Sequence, residues 1–272
     1  MTDIDANSSL FCVIGNPVSH SLSPLIHNLA FKLTNFNGVY VAFNVEDIKS
    51  AIVGIRSLNI KGVSVTIPHK IEVMKHLDFI DDTAKEIGAV NTIVNDNGTL
   101  KGYNTDCDGA IKALRSKTNI KNKKVLIYGA GGSARAIGYG IVKASGKLTI
   151  ANRSADKGKS LAEFLGCDFK SLDEVVPSDN EIIINTTSLG MTPNVDSSPV
   201  SASELHSDQI VMDIVYNPIK TKLLEYAESK GCKTVNGVEM FVNQAVLQFE
   251  SWTGITGPYS EMKNKVLNEL KR

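Results

Sequence analysis

Short apolar segments rich in β-branched residues alternate with helix-like segments along almost the whole chain. The apolar segments predict strands at 11–14, 39–43, 62–66, 92–94, 125–128, 148–151, 182–185 and 210–214. Between them, apolar side chains recur at three- and four-residue spacing, as at Ile48, Ile52 and Ile55, which is typical of a buried helix face. The alternation predicts an α/β fold built from βαβ units, with helices on the faces of parallel sheets.

Length and charge restrict the class of protein. The chain has 272 residues, which favours two domains over one. Lys and Arg number 29, as do Asp and Glu, and no basic stripe stands out, so nucleic acid is not an expected partner. Residues 1–10 do not resemble a signal peptide, and no apolar run is long enough to span a membrane. We therefore expect a cytoplasmic protein.

Cysteine and histidine spacing gives no sign of a metal site. The 4 cysteines lie far apart, without CxxC spacing, and the 5 histidines form no HxxxH or similar pair. Reduced thiols and no bound metal are the expectation.

A glycine-rich turn separates the predicted strand 125–128 from a helical segment at 137–144. It runs Gly129-Ala130-Gly131-Gly132-Ser133, and with Ala134 it fits the pattern GxGxxA. In that pattern the first glycine allows a tight turn, and the second lets the backbone approach a pyrophosphate. The small third residue lets the helix pack on the strand, and the helix N–H groups face the anion. We predict a dinucleotide site; a turn that binds nothing is the alternative.

The end of the next predicted strand bears on the choice of cofactor. An NAD site usually has Asp or Glu there, whereas this chain has Asn152, Arg153 and Ser154, followed by Lys157. A guanidinium binds a phosphate through two hydrogen bonds, and a lysine adds a positive charge. NADP is therefore favoured over NAD. Alternatively, Arg153 and Lys157 are merely solvated, and Ser154 is a helix N-cap.

Two hydroxyls precede the first predicted helix, at 25–32. Ser21 and Ser23, at a helix N-terminus, suit a carboxylate ligand. The alternative is structural, because Ser23 followed by Pro24 is also typical of an N-cap with proline at the first helical position.

Thr66 ends the predicted strand 62–66 and Lys70 follows it, at the carboxyl end, where α/β folds bind ligands. Reduction of a ketone needs a proton donor, and oxidation of an alcohol needs a proton acceptor. A lysine partly shielded from water can do both. The alternative is a solvent-facing lysine that opens a helix.

A third polar cluster contains Asn91 and Asp106. An asparagine both donates and accepts, which suits a hydroxyl, and Asp106 could orient Lys70. Structurally, Asn91 could simply form a turn and Asp106 a helix N-cap. Asp82 is also interpreted mainly as a helix cap.

Taken together, the motifs resemble those of the shikimate dehydrogenase family over nearly the whole chain. The motifs that carry the resemblance are, in order, Asn16-Pro17…Ser21-Leu-Ser23-Pro24, Val65-Thr66-Ile-Pro68-His-Lys70, Gly88-Ala-Val-Asn91-Thr92, Asn104-Thr-Asp106, Gly129–Ala136, Asn152-Arg153-Ser154, Asn185-Thr-Thr-Ser-Leu-Gly-Met-Thr-Pro193, Asp213-Ile-Val-Tyr216-Asn-Pro218 and Asn236-Gly237…Gln244-Ala245.

The resemblance implies an NADP-dependent oxidoreductase that reversibly reduces 3-dehydroshikimate to shikimate, in aromatic amino acid biosynthesis. It implies a catalytic pair, Lys70 and Asp106. The implied substrate-binding residues are Ser21, Ser23, Thr66, Asn91, Asp106, Tyr216 and Gln244. The implied cofactor-binding residues are Asp82, Gly129, Ala130, Gly131, Gly132, Ser133, Asn152, Arg153, Ser154, Lys157, Ile214 and Gly237.

The expected architecture has two domains. Residues 1–106 with 238–272 form an N-terminal α/β substrate-binding and catalytic domain, and 107–237 form a Rossmann-type, doubly wound NADP-binding domain. The last predicted helices, at 240–252 and 261–270, return to the first domain.

Two other functions stay open. A quinate/shikimate dehydrogenase that uses NAD, or both cofactors, is the nearest alternative, and the second is a nucleotide-sensing regulator without catalysis. The protein is expected to be a monomer or a homodimer.

Overall fold

The computed structural model describes residues 4–271, and contacts divide them into two compact units. The first unit takes the described residues up to Thr105 together with those from Gln244 onward. The second unit is Asp106–Asn243. The chain returns to the first unit inside a helix, later than the boundary expected near 236–237. Which ligand each unit binds stays a prediction.

Strands and helices of the first unit mostly alternate, as the sequence pattern predicts, but two strands at its end follow one another directly. The elements are β1 (Ser9–Gly15), α1 (Ser23–Leu33), β2 (Gly38–Asn44), α2 (Ile48–Ser57), β3 (Gly62–Val65), a 3-10 helix (Glu72–His76), β4 (Phe79–Ile80), α3 (Asp82–Ile87), β5 (Thr92–Asp96) and β6 (Thr99–Tyr103).

The sheet of the first unit is mixed, so the prediction of parallel sheets is wrong here. Its order is β2-β1-β3-β5-β6-β4. β1 is parallel to β2 and β3, but β5 is antiparallel to both β3 and β6. Asn97 and Gly98 join β5 to β6 with φ values of 51° and 93°. Two positive φ values are what a two-residue hairpin turn requires, and an Asn-Gly pair adopts them readily.

The elements of the second unit follow, together with the C-terminal helices. They are α4 (Asp106–Arg115), β7 (Lys124–Tyr128), α5 (Gly132–Lys143), β8 (Lys147–Ala151), α6 (Ala155–Leu165), β9 (Asp168–Lys170), a 3-10 helix (Pro177–Asp179), β10 (Ile182–Asn185), a 3-10 helix (Ala202–Glu204), β11 (Ile210–Asp213), α7 (Lys222–Ser229), β12 (Lys233–Val235), α8 (Gly237–Thr253) and α9 (Tyr259–Glu269). From Gln244 onward, α8 and α9 belong to the first unit.

The second unit contains the doubly wound sheet that the sequence predicts. Its strands are all parallel and lie in the order β12-β11-β10-β7-β8-β9. The residues of β10 are completely buried, as in a parallel sheet covered on both faces. In sheets of this order, ligands bind beyond the carboxyl ends of the central strands, where the order reverses. That position lies between β7 and β10.

The C-terminal helices pack on the sheet of the first unit, as expected. The Phe11 ring of β1 lies 4.9 Å from Phe31 of α1 and 5.5 Å from Trp252 of α8. Trp252 Nε1 donates to the Ile93 carbonyl at 3.0 Å. A side chain at Gly62 would overlap the indole ring. Trp252 therefore anchors α8 against β3 and β5.

None of the helices in the described part of the chain combines the length and the apolar character that crossing a bilayer requires.

Candidate functional site

Ser21 and Ser23 lie where β1 leads into α1. The helix begins at Ser23 with Leu22 as the N-cap and Pro24 in its first turn, and no side chain caps it. The structure therefore does not use Ser23 as the N-cap. Instead, the Ser23 N–H donates to Ser21 Oγ at 3.3 Å. Both serines thus stand at the amino end of an 11-residue helix, where the helix dipole favours an anion.

Thr66 and Lys70 follow β3, the strand beside β1. The Thr66 N–H donates to the Ile14 carbonyl at 2.9 Å, and the Lys70 carbonyl accepts from Val90 N–H at 2.8 Å. Neighbouring His69 is buried, with Nε2 2.8 Å from the Val45 carbonyl. The backbone of this segment is thereby held at the carboxyl end of β3. The Lys70 side chain is half-buried.

Asn91 precedes β5 and contacts Gln244 of α8. Its Nδ2 lies 3.4 Å from Gln244 Oε1 and donates to Thr105 Oγ1 at 3.0 Å. Its Oδ1 accepts from the Thr105 N–H at 2.8 Å and from the Thr92 hydroxyl at 2.7 Å. The two amides, 153 residues apart in sequence, are therefore brought together inside the first unit.

Three more polar side chains belong to this group, and none of them was predicted from the sequence. They are Tyr40, Ser64 and Gln248. All three are buried. Gln248 had a detectable signal, because it follows Gln244 by four residues and so shares its helix face. Tyr40 and Ser64 lie within apolar runs that predict strands, and nothing in those runs marks either residue as part of a polar site.

Asp82 does not join this group of side chains. Its carboxylate is 90% exposed and pairs with Lys85 at 2.9 Å. It is also not the cap of α3, as first interpreted, because Asp81 holds that position and accepts from the Thr83 N–H. A role for Asp82 at the cofactor stays a prediction.

The glycine turn of the second unit has the conformation that the motif requires. Gly129 takes φ 117°, and a side chain there would overlap Thr186 Oγ1. Gly131 is the N-cap of α5, and a Cβ at that position would meet no atom within 4 Å. Ala134 is completely buried, so the helix packs closely on the sheet. Ala130 lies in the turn, and Ser133 is the second residue of α5. These residues fit the diphosphate of a dinucleotide.

Asn152, Arg153, Ser154 and Lys157 lie at the end of β8 and the start of α6. Asn152 Nδ2 donates to the Ser154 carbonyl at 2.9 Å, and Ser154 Oγ caps α6 by accepting from the Lys157 N–H. The capping role considered for Ser154 is therefore present. Arg153 and Lys157 are exposed, and among residues 4–271 neither forms an ion pair.

Ile214 and Tyr216 follow β11, and Gly237, at the start of α8, packs against the same segment. A side chain at Gly237 would overlap the carbonyl oxygens of Ile214 and Val215, so only glycine allows this approach. The Tyr216 ring stacks on Phe241 of α8, with centroids 4.7 Å apart. The fold of the second unit thus brings together three residues that lie in two separate sequence motifs.

Asp213, which sequence reasoning did not assign, holds that segment. Its carboxylate accepts from the Thr221 hydroxyl at 2.6 Å, and from the Val215 N–H and Asn185 Nδ2 at 3.0 Å each. Burial raises the pKa of Asp213 to about 6. A signal existed in the sequence, because Asp213 and Asn185 are polar residues that close two consecutive apolar strands.

Asp106 is the first residue of α4 and is buried. It directly follows Thr105, which contacts Asn91. The expected pairing of Asp106 with Lys70 joins residues of the two units and stays a prediction.

The doubly wound sheet, its glycine turn and the polar cluster of the first unit define a class, the dinucleotide-dependent oxidoreductases. Three family models match the chain in succession. The shikimate dehydrogenase substrate binding domain matches residues 13–93, shikimate / quinate 5-dehydrogenase matches 112–227, and the shikimate 5'-dehydrogenase C-terminal domain matches 237–267.

Individual proteins agree with the family models. The chain is 47% identical to the NADP(+) shikimate dehydrogenase of Caldanaerobacter subterraneus subsp. tengcongensis, over 92% of this chain and 94% of the relative. A crystal structure of a shikimate dehydrogenase in complex with NADP+ has a TM-score of 0.95 and 43% identity, covering 99% of this chain and 98% of that one. A structure of a Thermus thermophilus shikimate 5-dehydrogenase in complex with NADP(H) and shikimate has a TM-score of 0.89 and 32% identity. The match covers 96% of this chain and 99% of that one.

This chain belongs to the shikimate dehydrogenase family. The resemblance and the two-unit α/β fold class expected from the sequence are thereby confirmed.

Proposed function

We propose that this protein catalyses the reversible NADPH-dependent reduction of 3-dehydroshikimate to shikimate. The observation that carries the proposal is the position of the family's motifs. In the first unit they follow β1 and β3 and precede β5, and in the second they follow β7, β8 and β11. These are the sheet edges at which α/β proteins bind ligands.

The substrate's functional groups match the side chains of the first unit. Ser21 and Ser23, at the amino end of α1, would hold the carboxylate. Thr66, Asn91 and Gln244 would bind ring hydroxyls, because amides and hydroxyls both donate and accept. Asp106 as a further hydroxyl ligand, and Tyr216 as a further carboxylate ligand, rest on the family resemblance alone.

Two charged residues are assigned to proton transfer. NADPH, held by the second unit, would supply a hydride for the carbonyl carbon. Lys70 delivers a proton to the carbonyl oxygen during reduction and removes it during oxidation. Asp106 orients the lysine and the hydroxyl. The assignment of this pair rests on the matched motifs and on the half-buried position of Lys70.

The second unit supports NADP as the cofactor. Gly129 to Ser133 would bind the diphosphate, and Ile214 and Gly237 would lie at the nicotinamide end. Arg153 and Lys157 are exposed cations beside the end of β8, while an acidic residue is missing from the position where NAD enzymes bind the ribose. These cations attract a 2′-phosphate.

The reaction is tested by following NADPH absorbance with purified protein, shikimate and NADP, with NAD and quinate in parallel. Fast turnover that requires both shikimate and NADP is expected. Turnover with quinate and NAD supports the alternative dehydrogenase instead. Binding without turnover for every pair supports the nucleotide-sensing regulator and contradicts the proposal.

We expect the reaction to take place in the cytoplasm. All four cysteines, which lie in the described part of the chain, are free thiols, and this fits a reducing compartment. Chromatography with light scattering decides between the monomer and the homodimer.

A further inference from the structure

A chain of buried hydrogen bonds, here called the relay, connects Tyr40, Ser64, Gln248, Thr92 and Asn91. The Tyr40 hydroxyl donates to Ser64 Oγ at 2.6 Å, and the Ser64 hydroxyl donates to Gln248 Oε1 at 2.7 Å. Gln248 Nε2 donates to Thr92 Oγ1 at 2.9 Å and to the Asn91 carbonyl at 3.1 Å. The Thr92 hydroxyl donates to Asn91 Oδ1 at 2.7 Å. The relay therefore ends on a residue assigned to substrate binding.

A backbone group sets the direction of the relay. The Asn91 carbonyl can only accept, so the atom of Gln248 that faces it must be the nitrogen. Gln248 Oε1 then faces Ser64, whose hydroxyl hydrogen it receives. Because the other hydrogen of Nε2 is donated to Thr92 Oγ1, the Thr92 hydroxyl directs its own hydrogen to Asn91 Oδ1.

The relay and the Thr105 N–H together orient the Asn91 amide. Its Oδ1 receives hydrogens from the Thr92 hydroxyl and the Thr105 N–H. Its Nδ2 consequently lies on the side of Gln244 Oε1, at 3.4 Å. The reversed amide would turn Nδ2, which can only donate, toward the Thr105 N–H and the Thr92 hydroxyl. The relay thus helps to keep Asn91 a donor on the side of Gln244.

We propose that Gln248 is a positioning residue for substrate binding, which acts through Thr92 to orient the Asn91 amide. The inference rests on the proposed function, because Asn91 and Gln244 are assigned there to substrate hydroxyls. Gln248 and Gln244 lie one turn apart on α8. One helix face therefore carries both a substrate ligand and the support for a second ligand.

Gln248→Met tests the proposal by steady-state kinetics, because methionine keeps the length of the side chain and removes its hydrogen-bonding atoms. We expect the KM for shikimate to rise about tenfold, which corresponds to about 1.4 kcal/mol, the scale of one hydrogen bond. The KM for NADP should stay unchanged. A folded Gln248→Met protein with an unchanged KM for shikimate would overturn the proposal.

Gln209→Met is the matched control. Gln209 is also completely buried, and its Nε2 donates to the carbonyls of Pro177 and Asn180 at 2.9 and 2.8 Å in the second unit. Both variants should lose stability, because each removes two hydrogen bonds that a buried amide donates. Only Gln248→Met should change the KM for shikimate. An equal rise in both variants contradicts a positioning role.

Substitutions at Thr92 separate the relay from a general packing defect. Thr92→Val keeps the shape and removes the hydroxyl, so it should raise the KM for shikimate as Gln248→Met does. Thr92→Ser restores the hydroxyl and should restore the KM. The double variant that carries both Gln248→Met and Thr92→Val should raise the KM for shikimate by much less than the product of the two single fold-changes. Fully multiplicative effects contradict a relay through Thr92.

The wild-type protein, measured in the same series, separates this proposal from the proposed function. If the wild type does not turn over shikimate, the proposed function fails, and exchange of the Asn91 side-chain amide hydrogens then decides the relay. By NMR of the ligand-free proteins, that exchange should be faster in Gln248→Met than in the wild type. Equal exchange in the two folded proteins contradicts the relay.

Discussion

Asp213 makes the stability of this protein depend on pH in a defined direction. Burial raises the pKa of its carboxyl from 3.8 to about 6, although Thr221, Val215 and Asn185 donate hydrogen bonds to it. The folded state therefore holds this proton more tightly than the unfolded chain. The resulting stabilisation is complete below about pH 4 and is lost as the pH rises through about 6. At about 1.4 kcal/mol for each pH unit between the two pKa values, the loss is about 3 kcal/mol.

Asp213→Asn isolates this effect in urea unfolding between about pH 4 and about pH 8. Asparagine keeps the shape: its oxygen can accept from the Val215 N–H, and its nitrogen can donate to the Thr221 hydroxyl. As the pH rises over that range, the wild type should lose about 3 kcal/mol of unfolding free energy relative to the variant. Other carboxylates are the same in both proteins, so their contributions cancel in the difference of the free energies of unfolding. Asp78 is an example, because its pKa is lowered by its hydrogen bond to Arg56.

Asp47→Asn is a control of opposite sign. Hydrogen bonds from Ser50 lower the pKa of Asp47 at the start of α2 below its usual 3.8. The wild type should therefore lose stability relative to that variant only as the pH falls below about 4, and the difference should be flat between about pH 4 and about pH 8. A pH-independent difference between the wild type and Asp213→Asn would refute the reasoning. It would mean that the three donors to Asp213 offset the cost of its burial.

Three further changes test catalysis, cofactor choice and the glycine turn. Lys70→Ala should lower kcat about 100-fold or more, as loss of a general acid–base group does; normal turnover with shikimate and NADP in a folded variant contradicts the role. Arg153→Ala should raise the KM for NADP much more than that for NAD, because it removes a phosphate ligand; equal changes contradict it. Gly129→Ala should cost about 1–3 kcal/mol of backbone strain and weaken NADP binding. Urea unfolding and a nucleotide titration measure the two effects, and unchanged values would show that φ 117° does not require glycine.

Local patterns were sufficient to predict most of the fold. The apolar runs, the glycine turn and the helical spacings all predict elements within segments of a few to about twenty residues. Short edge strands such as β4, β9 and β12 were missed, because two or three residues carry no clear period. The Asn97-Gly98 turn was a readable signal for the antiparallel pair β5 and β6, and it was overlooked.

The candidate site was predicted only in part. Its residue types followed from chemistry and from the family motifs. The contact of Asn91 with Gln244, and the support from Gln248, join positions more than 150 residues apart, and no local pattern specifies such a pairing. Likewise, Asp81 rather than Asp82 caps α3, because capping depends on backbone angles that the residue type does not determine.

The α/β class, the glycine turn at Gly129 and the cations at Arg153 and Lys157 follow from the amino-acid sequence alone. These features depend on neighbours in the chain, whose spacing is set by covalent geometry and by the helix and strand periods. The pairs of polar side chains that meet, such as Asn185 with Asp213 and Gln248 with Asn91, become visible only in the folded chain. Periodicity shows which face of an element is buried, but the partner on that face is selected by packing and by the need of every buried polar group for a hydrogen bond.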